Sequence, residues 1–199
     1  MNKRQIKKDK KRLLIIESAV KVFARKGFYN ASVSEIAREA GIADGGMYTY
    51  FGGKDDLLIS LFEYKMEDIL TRFNSHLKDI SDPLIKLKEF IKVYFQLIQE
   101  DKNLAEVFQV ELRQSSKFLK DYHNQKFIDY LNLIAGILQD GINIGFFNPA
   151  IDIDITKIMI FGALDEMARQ WILGSENVYS LKDASEQAAQ NLVFGLLAN

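Results

Sequence analysis

The sequence predicts an all-α protein, and three observations carry that expectation. Only two prolines stand among 199 residues. Apolar residues recur at i, i+3, i+4 and i+7 along most of the chain, and stretches with the period-two alternation of a half-buried strand are few. At 48% apolar, 27% charged and 12% aromatic residues, the chain has enough apolar surface to offset its ordering entropy. No apolar run approaches the roughly 18 to 20 residues of a membrane span, so a cytoplasmic protein without a membrane partner is expected.

The first helix is expected from about Asp9 to Lys26. Ile16, Ala19, Val20 and Phe23 share one face, and Gly27 stands where a left-handed C′ residue would stop it. Ser32 and Glu35 form the S-x-x-E pattern of a capping box, which opens a short second helix with Val33, Ile36, Ala37 and Ala40 on its apolar side. Gly41 ends it. A third short helix runs from Asp44 to about Phe51, although Gly45 and Gly46 should each cost it about 1 kcal/mol relative to alanine. Lys54 then opens a long helix carrying Leu57, Leu58, Leu61, Phe62, Ile69 and Leu70.

Asp82-Pro83 reads as an N-cap followed by proline at the first helical position. The helix after it is apolar on one face through Leu84, Leu87, Ile91, Tyr94, Phe95 and Ile98, and elsewhere through Phe90, Val93 and Leu97. Such a helix belongs between other helices. Asn103 to Gln114 reads as a short helix and Ser116 to about Asn143 as a long one, before Gly145, Asn148 and Pro149 break the chain. Asp152 caps a helix reaching Leu173, which Gly174 terminates, and Ser180 begins a last helix to about Leu197. About nine helices are expected in all.

Charge divides this array. The net charge is −1, but residues 1–54 carry +7 and residues 55–199 carry −8. A basic module, 1–54, joined to a larger acidic one, 55–199, confines any polyanion contact to the first, because phosphate neutralisation needs a local patch. Lys3, Arg4, Lys7, Lys8, Lys10, Lys11 and Arg12 make its start a basic arm.

Inside that module, two short helices joined by a glycine-containing turn have the form of a helix-turn-helix, whose second helix enters the major groove. Lys54 stands at the start of a helix after Gly52-Gly53, where free amides and the dipole already favour a phosphate. Ser32, also at a helix start, can donate to a phosphate oxygen if capping leaves it free. Of Tyr48 and Tyr50, one suits the core and the other a phosphate or base. Phe51 and Ile36 are expected in a small three-helix core.

The stretch from Ile16 to Leu58 reads A-x-x-x-F-A-x-x-G-F, then S-V-S-E-I-A-x-x-A-G-I, then Tyr48, Phe51, Lys54 and Leu57-Leu58. It resembles the DNA-binding domain of the TetR family of one-component transcriptional regulators. The later helices are similar in number, length and order to that family's ligand-binding and dimerisation domain. The resemblance implies an N-terminal three-helix DNA-binding domain, a C-terminal helical bundle, a palindromic double-stranded operator and a homodimer through the last two helices. It places Tyr48 and Lys54 at backbone-contacting positions and Thr49 within reach of base edges. Lys8, Lys11, Ser32, Ser34, Asp44, Gly45, Gly46 and Tyr50 complete the candidate DNA contacts. Where many relatives carry Ser or Thr, this chain has Ala43 and Gly46, which removes a helix cap and a frequent phosphate contact. Asp44 is unfavourable near phosphates unless it caps the helix or accepts from a cytosine amine.

The second module carries Phe90, Tyr94, Phe95, Phe108, Phe127, Tyr130, Phe161 and Trp171, more aromatics than a small bundle core needs. Any one suits core packing, yet together they are candidates for lining an effector cavity. Asp165 and Arg169 are spaced as an i, i+4 pair. Arg113 has Glu106 and Glu111 as possible partners or could face an anionic ligand group. Ala43-Asp44-Gly45, D-L-L-I-S-L-F (56–62), N-L-A-E-V-F-Q-V-E-L-R-Q-S (103–115) and M-I-F-G-A-L-D-E (159–166) are similar to the acyl-CoA-responsive FadR-type repressors of fatty-acid degradation within that family. This implies a long-chain acyl-CoA effector that releases the DNA. A lipophilic drug would suit an apolar cavity as well, so a repressor of a multidrug efflux gene is the alternative.

Catalysis is not expected. There is no cysteine, only His76 and His123 as histidines, and no P-loop, metal-ligand spacing or nucleophile elbow. No cofactor or metal is expected. Asp55-Asp56 reads as a first-turn pair favoured by the helix dipole.

Overall fold

The computed structural model describes residues 3–174 and 179–197, which form two compact units. The first comprises 1–65 and 103–123, and the second 66–102 and 124–199. Among the described residues, no helix is long and apolar enough to cross a membrane.

The first unit opens with α1, Lys3–Lys26. The helix therefore begins at the basic arm and not at Asp9. Lys and Arg are good helix formers, and the Gln5 amide donates to Asp9 Oδ1 at 2.8 Å, one turn on. Gly27, at φ 79°, stops it. Helix α2, Val33–Glu39, starts at Ser32 with the complete capping box: Glu35 N–H donates to Ser32 Oγ, and Ser32 N–H to the Glu35 carboxylate. Replacing such a cap by alanine costs about 1 kcal/mol.

The third segment, Asp44–Thr49, is a 3₁₀ helix rather than an α-helix. Its N-cap residue, Ala43, offers no side-chain acceptor, and Gly45 and Gly46 weaken longer-range propagation. The tighter bonding shows in Gly46 N–H donating to Ala43 O at 2.8 Å and Tyr50 N–H to Met47 O at 2.9 Å. Met47 and Phe51 are buried, as are Phe23, Ile36, Ala37, Leu57 and Leu58, and the segment packs against α2. Helix α3, Lys54–Leu77, contributes its residues through Lys65 to this unit.

The returning segment differs from the expected helices 103–114 and 116–143. Helix α5 is Lys102–Gln109, followed by a 3₁₀ turn at Glu111–Gln114 and a π turn at Lys117–Asp121. Glu111 is buried and its carboxylate accepts from the Phe28 amide, a tertiary demand that a continuous α-helix does not meet here. Ser115 Oγ accepts from Phe118 N–H at 3.1 Å and donates to Asp55 Oδ1 at 2.6 Å.

In the second unit, Asn124 caps α6, Gln125–Asn143, by accepting from Phe127 N–H at 3.0 Å. Such a side chain competes with the helical backbone, and so the expected long helix is divided. Helix α4, Pro83–Glu100, has Asp82 as its N-cap and packs against α6, α7 and α8. Helices α7, Ile153–Leu173, and α8, Leu181–Phe194, start at the Asp152 and Ser180 caps. Helix α8 ends short of Leu197, because Gly195 closes it and Leu196 O accepts from Asn148 N–H at 2.9 Å. Gly141 is required by packing: a Cβ there would lie 2.0 Å from the fully buried Phe147 ring.

Candidate functional site

In the first unit, α2 and the 3₁₀ segment present the candidate DNA-reading residues. Ser34, Asp44, Gly45, Tyr48 and Thr49 are exposed, Tyr48 to 62%, whereas Gly46 and Tyr50 are half-buried. Asp44 lies in the first turn of the 3₁₀ helix and provides no cap. Lys8 and Lys11 are exposed on the first turns of α1.

Ser32 and Lys54 are more engaged than their sequence positions suggest. The Ser32 hydroxyl accepts from Glu35 N–H at 3.2 Å and donates to Glu35 Oε2 at 3.0 Å, so capping occupies it. The Lys26 ammonium pairs with Glu35. That bond, ahead of those from Ser32, pulls the Glu35 carboxyl from 4.5 down to about 2. Lys54 is half-buried; its ammonium donates to the carbonyls of Tyr29 and Ala31, each at 3.1 Å, and lies 4.7 Å from the Phe28 ring centroid. The lysine thereby holds the turn ahead of α2 and remains on the same side chain that sequence reasoning assigned to a phosphate.

Phe108 belongs to the first unit, where it packs on Phe62 at 5.3 Å between centroids, and Phe62 also meets Phe118 and Tyr122. Arg113, in the same unit, is exposed.

The second unit gathers the others. Phe73 stacks on Phe90 at 4.6 Å, and Tyr130 lies 5.5 Å from Phe73, 5.6 Å from Phe90, 6.4 Å from Phe127 and 6.1 Å from Phe161. Tyr94 and Phe95 meet edge to face at 5.3 Å. Trp171 lies beneath the Lys102 ammonium, 4.7 Å from its ring.

The Tyr130 hydroxyl is fully buried and has no hydrogen-bond partner among the described residues. Burial first, and then the fields of Tyr94 and Asp165, raise its pKa well above the ordinary phenol value. It is a protonated donor in apolar surroundings. The Arg169 guanidinium forks onto Glu166, the i, i+3 neighbour, at 2.6 and 2.8 Å, and the charge of Asp165 acts on it as well.

Sequence reasoning missed Phe73 and Phe118, and it missed the role of Glu111, which it named only beside Arg113. Phe73 was detectable, since it continues the Ile69-Leu70 face by one turn. Glu111 was not, because its partner is 83 residues away.

Helix α7 leaves Ile155, Ile158 and Met159 at 50 to 64% exposure, and Phe194 near the end of α8 is 79% exposed. Helices α7 and α8 contact each other.

Residues 15–61 match the family described as bacterial regulatory proteins, tetR family, and residues 62–195 match the YsiA-like protein, C-terminal region. The "Fatty acid metabolism regulator protein" of Bacillus subtilis is 39% identical over 95% of this chain and 97% of its own length. The structure of FadR from Bacillus subtilis in complex with stearoyl-CoA superposes with TM-score 0.86 at 38% identity, covering 92% of this chain and 98% of that one. That of the fatty acid degradation regulator FadR from Bacillus halodurans gives 0.84 at 36% identity, over 92% and 94% of the two chains.

Proposed function

Because the chain belongs to the TetR family of bacterial regulatory proteins, we propose that it regulates fatty acid metabolism as a cytoplasmic dimer that leaves its operator when a long-chain acyl-CoA binds. The relative solved with stearoyl-CoA carries this reading. It favours a fatty-acid effector over the drug response of an efflux regulator.

The DNA-reading surface is the exposed set on α2 and the 3₁₀ segment. Thr49 reaches base edges, Tyr48, Ser34 and Lys54 meet phosphates, and the arm residues Lys8 and Lys11 add sequence-independent attraction. The half-buried Gly46 and Tyr50 shape the segment more than they touch DNA. Pairing α7 and α8 between two copies covers Ile155, Ile158, Met159 and Phe194 and supplies the two readers that half-sites about 34–36 Å apart require. The effector acts as a population shift: it binds better to a state in which that spacing is wrong. The aromatic residues around Tyr130, with Tyr94 and Trp171, accept the acyl chain, and the Tyr130 hydroxyl offers a donor to its thioester carbonyl.

The test has two parts. Duplexes selected by the purified protein from a random library should share one palindrome, and Thr49→Ala should change the preferred base at one position per half-site by about 1–3 kcal/mol. A thermal-shift series from short to long acyl-CoA should then show stabilisation that grows with chain length and needs the CoA group. Stabilisation by unrelated lipophilic compounds and not by acyl-CoA would overturn the effector and leave the DNA binding intact.

A further inference from the structure

Helix α1 stops at Gly27, whose amide returns to Phe23 O at 2.8 Å and whose φ is 79°. In a helix stop closed within its own sequence, the amide that follows such a glycine returns to the last turn. Here the next amide, Phe28, donates to the Glu111 carboxylate, 83 residues on. The approach is close enough that a Cβ at Gly27 would lie 3.5 Å from Glu111 Oε2. Glu111 is only 4% exposed, so this carboxylate is placed for the bond and not for solvent.

The same few residues govern the DNA-reading elements. Tyr29 O and Ala31 O are held by Lys54, the Tyr29 hydroxyl donates to Gln114 O at 2.8 Å, and Ser115 donates to Asp55 in the first turn of α3. The turn between α1 and α2 is thus completed by α3 on one side and by the Glu111–Ser115 stretch on the other. That stretch lies in a segment, 103–123, which belongs to the first unit, while the chain on both sides of it, 66–102 and 124–199, belongs to the second. The chain connects that stretch to α4 before it and to α6 after it.

We propose that Glu111 is a positioning residue that ties the effector state of the second unit to DNA reading, holding the α1–α2 turn in its operator-binding geometry through the Phe28 amide. The trigger rests on the acyl-CoA reading above; the hold on the turn does not. Glu106 enters the same balance. It is half-buried, and its carboxyl is raised above the ordinary value by burial and by the charge of Glu111.

The experiment compares wild type, Glu111→Ala and Glu111→Gln on the duplex selected by the wild type, with and without stearoyl-CoA, and follows exchange of the Phe28 amide. Stearoyl-CoA should weaken wild-type binding by about 5- to 150-fold, the ordinary range of such coupling, and speed Phe28 exchange. Glu111→Ala should bind the duplex roughly tenfold more weakly at the outset and lose most of the further response, with stearoyl-CoA affinity unchanged. Glu111→Gln, whose amide oxygen accepts the same bond, should restore both. A purely structural role predicts a lower thermal midpoint with the response ratio intact, and that result would overturn the proposal. So would Phe28 exchange that is indifferent to stearoyl-CoA while the duplex is released, a measurement that needs no variant to fold. If stearoyl-CoA neither binds nor releases the wild type, the effector reading falls, and the duplex affinity of Glu111→Ala or, should that variant not fold, of Glu111→Leu decides the hold: wild-type affinity in the variant overturns it.

Discussion

The Lys54 ammonium donates to the Tyr29 carbonyl oxygen at 3.1 Å, joining the first residue of α3 to the turn ahead of α2 across 25 residues of sequence. A lysine that sequence reasoning assigns to a phosphate is therefore also a structural strut. Its hydrogen bonds to Tyr29 and Ala31 are charge-assisted and half-buried. Lys54→Ala is expected to lower stability to urea by about 1.5–3 kcal/mol. It should also weaken binding to every duplex and reduce the salt slope by about 1. Denaturation and salt titration of the same preparation measure the two effects, and loss of affinity with no loss of stability would show that the strut is absent in solution.

Tyr130 gives an effect of opposite sign on stability and binding. A buried hydroxyl without a partner costs roughly 1–3 kcal/mol of desolvation. Tyr130→Phe, which keeps the ring contacts, should raise the unfolding midpoint of the free protein and weaken stearoyl-CoA binding by about tenfold, the equivalent of one hydrogen bond. Calorimetric titration checks the second effect. A variant that is less stable and binds normally would remove Tyr130 from the effector site.

Acid should expose the Glu35 network. The folded protein holds this carboxyl at about 2 against 4.5 in the ordinary case, so the folded state prefers its ionised form. The stabilisation is complete above 4.5 and is lost as the pH falls toward 2. In acid titration followed by circular dichroism, wild type should exceed Glu35→Gln in stability at neutral pH, with the difference closing through that window. A difference independent of pH would mean that the Lys26 and Ser32 contacts do not discriminate the charged form.

Met159, 64% exposed on α7, should be covered in the dimer. Met159→Glu places a charge in that interface, where an unpaired buried charge costs several kcal/mol. Sedimentation should show a monomer that keeps its helical spectrum, and affinity for the full palindrome should fall toward that for a half-site. An unaltered dimer would place the interface elsewhere.

Local chemistry made much of the fold legible. Ser32 with Glu35, Asp82 before Pro83, Asp152 and Ser180 were each readable as helix starts because a cap and the amides it satisfies lie within four residues. Gly27 was readable as a stop for the same reason. The 3₁₀ form of Asp44–Thr49 was half-visible: Gly45, Gly46 and the uncapped Ala43 marked a weak helix, but the length and hydrogen-bond register depended on burying Met47.

By itself, then, the sequence determined the all-helical class and the helix starts at Ser32, Asp82, Asp152 and Ser180, since helical period and capping act over a single turn or along one face. Only the tertiary structure decided that α5 ends at Gln109 so that Glu111 can serve the Phe28 amide, that Phe108 packs with Phe62, and that Gly141 is needed beneath Phe147. These choices pair groups far apart in the chain. A buried carboxylate, ring or amide settles where its partner is, and no periodicity along the backbone records that partner's address.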